Sequence, residues 1–489
     1  MNCNTKTASS PAPAGTERQP SPDASQQEAT HRAPCEFLTD PILKKLGDNV
    51  DFPTLVTNAL EKSIQALIEN KDSYVANPGV SFSRNRSLPL DKVVRILLTM
   101  GAKSLQNELL NYFNFDEDTP YDSAFCMQRQ KLLPEGMQFV MNTFNKNLDE
   151  LMTPTKFRGM QVFAYDGSDV LLPTDRNDTD TYVNGIKGSG YNCRHLNSLC
   201  DPLTHRIYAY SFETTKKSDE RSELLTLCKT VQPGSLILSD RGMEGYNVCA
   251  GIMNAGQHFI TRIKDINSNG MLSGLVDRLP NDDEFDKTIT MILTRSQARK
   301  FKEDPRYKVL MPNIAFDYYD KSDTYEITLR FLRFKLDNGE YECLVTDLPE
   351  DIMPASDFKA VYFWRWNGSE NTFRDLKYTL GLTSFHARTH SGRIQEVTAT
   401  LILYNYVAML AYHTSIQQST KETSGLKYGY IIRFTTAANI CRALLTGMVC
   451  GKCALKLMKR FLTPIRPDRQ FARNIRSQRA RFFCFRCAI

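Results

Sequence analysis

Three acidic side chains occur in sequence patterns that suggest phosphoryl chemistry. Asp166 comes directly after the apolar run VFAY, and Asp240 comes directly after LILS. Glu370 lies in the helix-like stretch YFWRWNGSENTFRDLKYTLGL, which begins at Tyr362. Functional groups collect beyond strand ends in open α/β sheets, and oxygen ligands without histidine or thiolate suit Mg²⁺ or Mn²⁺. Two such ions held about 4 Å apart clamp the attacking and leaving oxygens of an in-line phosphoryl displacement.

Each acid also has a purely structural explanation. Aspartate before glycine commonly forms a turn at the end of a strand, and Asp169 competes with Asp166 within the motif DGSD. Glu370 can form a surface salt bridge with Arg374, four residues later on a helix. The three acids therefore indicate a functional site only when they are considered together.

Basic and aromatic residues surround Glu370 in a pattern that suits a phosphate-binding face. Lys377 follows Glu370 by two helical turns and Arg374 follows it by one, which places all three on one side of a helix. Tyr362 and Arg365 are candidates to hold DNA phosphates while the carboxylate holds metal.

The two tryptophans of the chain, Trp364 and Trp366, lie in the same stretch. Two interpretations are open for them. They stack on an unpaired base near the reacting phosphate, or they pack the helix onto the sheet.

Composition and periodicity predict an α/β protein of several segments. Residues up to 34 are rich in Pro, Ser, Ala, Thr and Gln, helical periodicity follows, and strand-like periodicity begins at Met160. The predicted segments are a disordered tail (1–34), a helical DNA-binding domain (35–158), the first part of an α/β core (159–264), a β-rich insertion (265–354), the second part of the core (355–418), and a helical C-terminal region with a basic tail (419–489).

The distribution of charge leaves two interpretations open, and hydropathy predicts no membrane span. The net charge is +6, and the segment from Lys459 to Arg486 carries nine basic side chains and one acid, which either stay solvated as a tail or bind a polyanion as a phosphate-binding arm. The longest apolar run, VTATLILYNYVAML, is too short and too polar to cross a bilayer. With no evident secretory signal, we expect a cytoplasmic protein associated with chromosomal DNA.

The cysteines leave two interpretations open. Cys450 and Cys453 form one C-x2-C pair, and Cys484 and Cys487 form another. Such pairs hold structural zinc in some proteins. The gap of thirty residues between them and the total of thirteen cysteines also fit reduced, unlinked thiols in a cytosol.

The residues described above resemble those of the DDE transposases of bacterial insertion sequences, in insertion-sequence family four. The hallmark of that family is Tyr, two residues, Arg, three residues, Glu, six residues, Lys, and Tyr362, Arg365, Glu370 and Lys377 follow it with one extra residue before the glutamate. AYDGSD and SDRGMEGYN are similar to the first and second acid motifs. Together with RNRSLPLDKVVRILLTMG, TTAANICRALL and PIRPDRQF, the resemblance spans roughly residues 80 to 475.

The resemblance implies an RNase H-like core interrupted by an all-β insertion, with metal-dependent cleavage of DNA at the ends of the element followed by strand transfer. The family usually forms a hairpin intermediate and acts as a homodimer that brings two ends together. The implied site consists of catalytic, metal-binding Asp166, Asp240 and Glu370 with two Mg²⁺ or Mn²⁺ ions, and of DNA-binding Tyr362, Arg365, Arg374, Lys377 and Arg241.

The extra residue in WNGS rotates Arg365 by about 100° relative to Glu370 in a continuous helix. A π-bulge would absorb it. Alternatively, Asn367-Gly368 ends one helix and Ser369 caps the next. A third possibility is a displaced acid, which would leave a DNA-binding protein of transposase origin. A metal-dependent nuclease or phosphatase unrelated to transposition shares the carboxylates but not the pattern around Tyr362.

Overall fold

The computed structural model describes residues 51–84, 86–184, 190–214, 219–280, 282–312, 324–336, 339–419 and 430–464. The predicted tail (1–34) and most of the arginine-rich end lie outside these residues.

A large mixed sheet forms the centre of the fold. Its strands pair in the order β3-β4-β2-β6-β7-β11-β10-β8-β9, with β1 also paired to β2 and β5 to β4. β4 is antiparallel both to β2 and to β5, to which the turn at Asp201-Pro202 joins it, whereas β6 and β7 run parallel to β2. The strands are β1 (Lys156–Phe157), β2 (Met160–Leu172), β3 (Tyr182–Val183), β4 (Tyr191–Cys200), β5 (Ile207–Thr214), β6 (Leu236–Ser239), β7 (His258–Ile263), β8 (Phe285–Thr294), β9 (Tyr307–Val309), β10 (Thr324–Lys335) and β11 (Tyr341–Thr346).

Helices cover the sheet and extend beyond it, so the chain has a mixed α/β architecture. They are α1 (Phe52–Glu69), α2 (Leu90–Thr99), α3 (Leu105–Tyr112), α4 (Asp122–Arg129), α5 (Pro134–Leu151), α6 (Glu220–Cys228), α7 (Tyr246–Asn254), α8 (Arg299–Lys302), α9 (Ala355–Arg374), α10 (His390–Ser419), α11 (Phe434–Leu445) and α12 (Gly451–Arg460). A short two-stranded sheet pairs β12 (Tyr430–Ile432) with β13 (Leu462–Pro464).

The strands of the β-rich region extend the central sheet. β11 pairs antiparallel with β7, and β10 pairs with both β11 and β8. β11 thereby covers the edge that β7 would otherwise expose, so this region and the α/β strands share one hydrogen-bonded layer.

The helix α10 joins the N-terminal helices to the sheet. Its side chains share one hydrophobic core with those of α1, α2 and α5, including Phe52, Val93, Phe144 and Tyr406. Among the described residues, His390–Thr414 is the one stretch long and apolar enough to cross a membrane, and 83% of its most apolar window is buried inside the fold. It is a core helix, as the run VTATLILYNYVAML predicts.

The helix α9 lies on one face of β2 and β6. Alternating residues of a strand point to opposite faces. Val162 and Leu236 share a core with Phe358 and Val361 of α9. The next residues along the strands, such as Phe163, belong to a second core on the other face, with α6 and α7.

Gly368 allows α9 to approach the sheet closely. A Cβ at this position would lie 2.9 Å from Pro202 Cβ and 3.1 Å from Ala164 Cβ. The glycine is therefore a close-packing contact inside a helix, two residues before Glu370.

We predict that Gly368→Ala destabilises the protein despite the better helix propensity of alanine. Alanine gains up to about 1 kcal/mol inside a helix, whereas an overpacked contact against backbone and a proline ring costs about 1–3 kcal/mol. The melting temperature should fall, while Asn371→Ala, exposed on the same helix, should leave it unchanged or raise it. Equal melting temperatures for the two variants would contradict the close contact.

We also predict that a buried ion pair stabilises the union of α4 with α10. Arg129 Nη1 donates to Glu396 Oε1 at 2.8 Å, with side chains only 5% and 7% exposed. Arg129→Met removes the guanidinium partner of the buried Glu396 carboxylate and leaves it with hydrogen bonds from the backbone N–H groups of His386 and Ala387, at a cost of about 3–5 kcal/mol.

Urea unfolding would measure this loss. The matched control is Arg158→Met, because the pair between Arg158 and Asp357 is 38% and 32% exposed and contributes only about 0–1 kcal/mol. Similar losses in both variants would refute a special role for the buried pair.

Candidate active site

Asp166 lies on β2, and Asp240 follows the end of β6, the parallel neighbour of β2. Ala164 pairs with Leu238, and the same register continued by two residues sets Asp166 opposite Asp240. Asp240 keeps an extended backbone, with φ −84° and ψ −179°. Neighbouring strands are about 4.8 Å apart, so both carboxylates emerge close together on the face that α9 covers.

Asp166 does not end its strand, contrary to the sequence prediction. β2 continues to Leu172, where it pairs with β4. The parallel partner β6 ends at Ser239, so Asp166 marks the point where one edge of β2 loses its partner. The shape of the sheet therefore opens space beside Asp166 without a turn in β2.

Asp169, the alternative to Asp166 in the DGSD motif, points to the opposite face. His195 Nδ1 lies 2.9 Å from Asp169 Oδ1, and its Nε2 lies 2.9 Å from Glu220 Oε1. Burial opposes charge on this imidazole, but the hydrogen bonds that it donates to the two carboxylates outweigh burial and raise the pKa of His195 to about 9. Position 167 requires a glycine, because a Cβ there would lie 2.2 Å from His195 Nε2.

Arg365 of α9 reaches the acid pair. Its Nη1 lies 4.0 Å from Asp166 Oδ2, and the residue is 4% exposed. Burial alone would lower the pKa of Arg365, but Tyr362, Asp166 and Asp240 outweigh burial and raise it. The guanidinium thus stays charged and offsets part of the negative charge of the two acids.

Tyr362 is buried next to Arg365. It is 2% exposed, and burial raises the pKa of its phenol to about 12. Glu342 forms an ion pair with Arg262, in which Glu342 Oε1 lies 3.2 Å from Arg262 Nε. The charge of Glu342 also raises the pKa of Tyr362. Tyr362 was predicted to hold DNA phosphates, but here its ring lies 5.7 Å from the Arg365 guanidinium inside the core.

Lys377 also approaches the strand of the first acid. Its Nζ donates to Ser168 Oγ at 2.6 Å, two residues after Asp166 and on the same face. It belongs to a π-helical segment, Asp375–Thr379, that follows α9 directly. Lys377 and Arg365 therefore both lie beside the stretch of β2 that contains Asp166.

The helix is continuous between Arg365 and Glu370. α9 runs unbroken from Ala355 to Arg374, so Ser369 caps no new helix, and the π-helical segment lies after Glu370 instead of before it. Five residues turn an α-helix by about 500°, so Glu370 starts from a direction about 140° away from Arg365. The side chain of Glu370 lies outside what the structure describes.

The remaining predicted residues lie at different depths. Arg241 and Arg374 are exposed, and Arg241 begins a short 3-10 turn whose Gly242 N–H donates to Asp240 Oδ1 at 2.8 Å. Trp364 packs edge-on against Phe157 in the core, with ring centroids 5.3 Å apart. Trp366 is half-buried, and its ring lies 4.3 Å from the Arg365 guanidinium.

Sequence reasoning missed three residues that shape this site: Gly368, Ser168 and Glu342. Gly368 was interpreted as part of a helix end, although a small residue inside a helical pattern also signals close packing. Ser168 is visible in the DGSD motif. Glu342 carries no local signal, because only the pairing of β11 with β7 brings it near Arg365.

The two aspartates have the donor chemistry of a hard-cation site. Both offer carboxylate oxygens, and the Asp166 side chain is 26% exposed, so an ion can reach it. Among the described side chains, no three His, Cys, Asp or Glu cluster tightly enough to hold a metal. The carboxylate of Glu370 is not among those side chains.

The zinc interpretation stays a prediction. Cys450 and Cys453 are exposed at the start of α12, where Cys450 Sγ accepts from Cys453 N–H at 3.4 Å. Cys484 and Cys487 lie outside the described residues.

Comparison with known proteins identifies the family. A family model described as transposase DDE domain matches residues 157–406, just over half of the 489 residues. No match was found among curated protein sequences. A piggyBac transposase synaptic complex with hairpin DNA is similar in structure, with 10% identity and a TM-score of 0.42 over 86% of this chain and 81% of that one. With so low a TM-score, the assignment rests on the match to the sequence model. The chain belongs to the family of transposases with a DDE domain.

Proposed function

We propose that this transposase cuts DNA at the inverted-repeat ends of a bacterial insertion sequence and joins those ends to target DNA. Asp166, Asp240 and Glu370 would form the catalytic set. The observation that supports the proposal is that Asp166 on β2 and Asp240, directly after the parallel strand β6, lie on the sheet face covered by the helix that contains Glu370.

The sheet supports an RNase H-like core for this site. In the order β5-β4-β2-β6-β7, three antiparallel strands are followed by two that run parallel to β2. The β-rich strands then continue the layer beyond β7 and before α9, where the family resemblance places an insertion.

Asp166 and Asp240 would hold divalent ions, Mg²⁺ or Mn²⁺. Bound there, such ions would activate the attacking water or 3′-hydroxyl and stabilise the leaving oxygen. Arg365 lies near Asp166, and Lys377 lies near Ser168 on the same strand. Both would orient the scissile phosphate by charge-assisted hydrogen bonds. Exposed Arg241 and Arg374 would contact the flanking backbone.

The wider assignment follows from the same proposal. Element ends and target DNA would be the partners, two copies of the chain would meet on two ends, and the protein would act on chromosomal DNA in the cytoplasm. The helices of 35–158 would supply part of the end recognition.

A second candidate function is an end-binding protein that does not cut. The continuous helix between Arg365 and Glu370 favours it, because the extra residue is not absorbed between them. In this alternative, positions 365 and 370 lie about 140° apart around the helix axis, so they would not serve the same phosphate.

We predict that the carboxylates of Asp166 and Asp240 are required for nicking but not for binding. With Mg²⁺ and a duplex of the DNA flanking the gene, the native protein should nick near the element end. Asp166→Ala and Asp240→Ala should lose more than about a thousandfold of that rate, since ion-assisted displacement supplies several kcal/mol.

The matched control for this experiment is Asp169→Ala, which removes a carboxylate from the opposite face of the same strand. It should bind and nick like the native protein. Nicking that survives Asp166→Ala, or that is lost equally in Asp169→Ala, would reject the assigned site.

Deletion of one residue before Glu370 distinguishes the transposase from the end-binding protein that does not cut. Deletion of Ser369 keeps Arg365 and Gly368 in place and turns Glu370 by about 100° toward the sheet. If native protein binds ends without nicking them and the deletion variant nicks, the second function is correct for the natural chain. If native protein nicks and the deletion abolishes it, the native spacing is the functional one.

A further inference from the structure

A cluster of basic side chains lies farther along the strand that carries Asp166. It consists of Arg194 on β4 and of His390 and Arg393 at the start of α10, and we call it the Arg194 cluster. Arg194 pairs with Val170, four residues beyond Asp166 on β2 and on the same face. At about 3.3 Å per residue, the cluster lies about 13 Å from the acid along the strand.

The two arginines are buried without full hydrogen bonding. Each is 8% exposed, and within the described part of the chain the Nε atom of each has no hydrogen-bond partner. Arg194 Nη1 donates to Phe212 O at 3.0 Å. Arg393 Nη1 lies 3.8 Å from Asp178 Oδ2, which is an ion pair too long for a hydrogen bond.

Arg194 also points at the N-terminus of α10. Its Nη2 lies 3.5 Å from Nε2 of His390, the first residue of the helix. Thr389 Oγ1 accepts from Gly392 N–H at 3.2 Å. The N–H groups of His390 and Ser391 belong to the first turn, where a helix offers no acceptor of its own. The positive end of a thirty-residue helix therefore adds to two buried guanidinium groups.

Burial is the largest cause that lowers the pKa of each of the three basic groups, and nearby acids oppose it. Burial, Arg194 and Arg393 lower the pKa of His390, while Asp178 and Asp180 raise it without reversing the shift. The pKa of each arginine is also lowered, first by burial, although acids including Asp178 oppose the change. An anion at this place would complete the hydrogen bonding and relieve the repulsion.

We propose that the Arg194 cluster and the N-terminus of α10 bind a backbone phosphate of the DNA strand that passes Asp166. The inference rests on the proposed function for the direction of the DNA, since Lys377 at Ser168 lies between the acid and the cluster. The site would position the duplex without reading its sequence, because phosphate contacts carry no base information.

The test measures binding of a short fluorescein-labelled duplex by anisotropy over a range of salt concentrations. Arg393→Gln and His390→Ala should each weaken binding, and Arg393→Gln by about tenfold, with a salt slope smaller by about one. Arg299→Gln, which removes an 88% exposed guanidinium elsewhere, should keep the native slope. Melting temperatures would show that each variant is folded.

A second readout is independent of stability. In histidine-labelled protein, NMR should show that the duplex raises the pKa of His390 in the native chain and not in Arg393→Gln. Native affinity and slope in both cluster variants, an equal loss in Arg299→Gln, or an unmoved His390 would each overturn the proposal. Failure of Mg²⁺-dependent nicking with these binding effects intact would reject the proposed enzyme and leave this site standing.

Discussion

The parallel register between β2 and β6 is the constraint on which the site depends. It sets Asp166 opposite Asp240 and turns both toward α9. Because side chains alternate between the faces of a sheet, a slip of one residue would send one of the acids to the other face, where Asp169 pairs with His195. The apolar residues before each acid fix that register by packing against α9 and α7.

The approach of α9 completes this constraint. Gly368 lets the helix backbone pack against Ala164 and Pro202. Because the helix lies so close to the sheet, Arg365 Nη1 comes within 4.0 Å of Asp166 Oδ2. Two carboxylates at this distance repel each other strongly in a partly buried place. The charged guanidinium of Arg365 offsets part of this repulsion and so favours the register of the two strands.

Much of the fold could be predicted from the sequence, because local signals decide it. The hairpin at Asp201-Pro202, the strand before Asp240 and the buried helix α10 all follow from turn residues and hydrophobic periodicity. The length of β2 could not be predicted, since DGSD has the composition of a turn and only pairing with β4 keeps it extended. The depth of Tyr362 and the hydrogen bond from Lys377 to Ser168 depend on how α9 docks, which no local pattern specifies.

The β-rich strands also cover one edge of the α/β part of the sheet. β7 would be an outermost strand with unpaired backbone groups if the chain passed directly from it to α9. β11 hydrogen-bonds along Cys343–Thr346 with Ile260–Ile263 and removes that open edge. Open edges of this kind recruit strands from other chains. A shortened chain without these strands would retain both aspartates and yet expose the backbone groups of β7 to pairing with other chains.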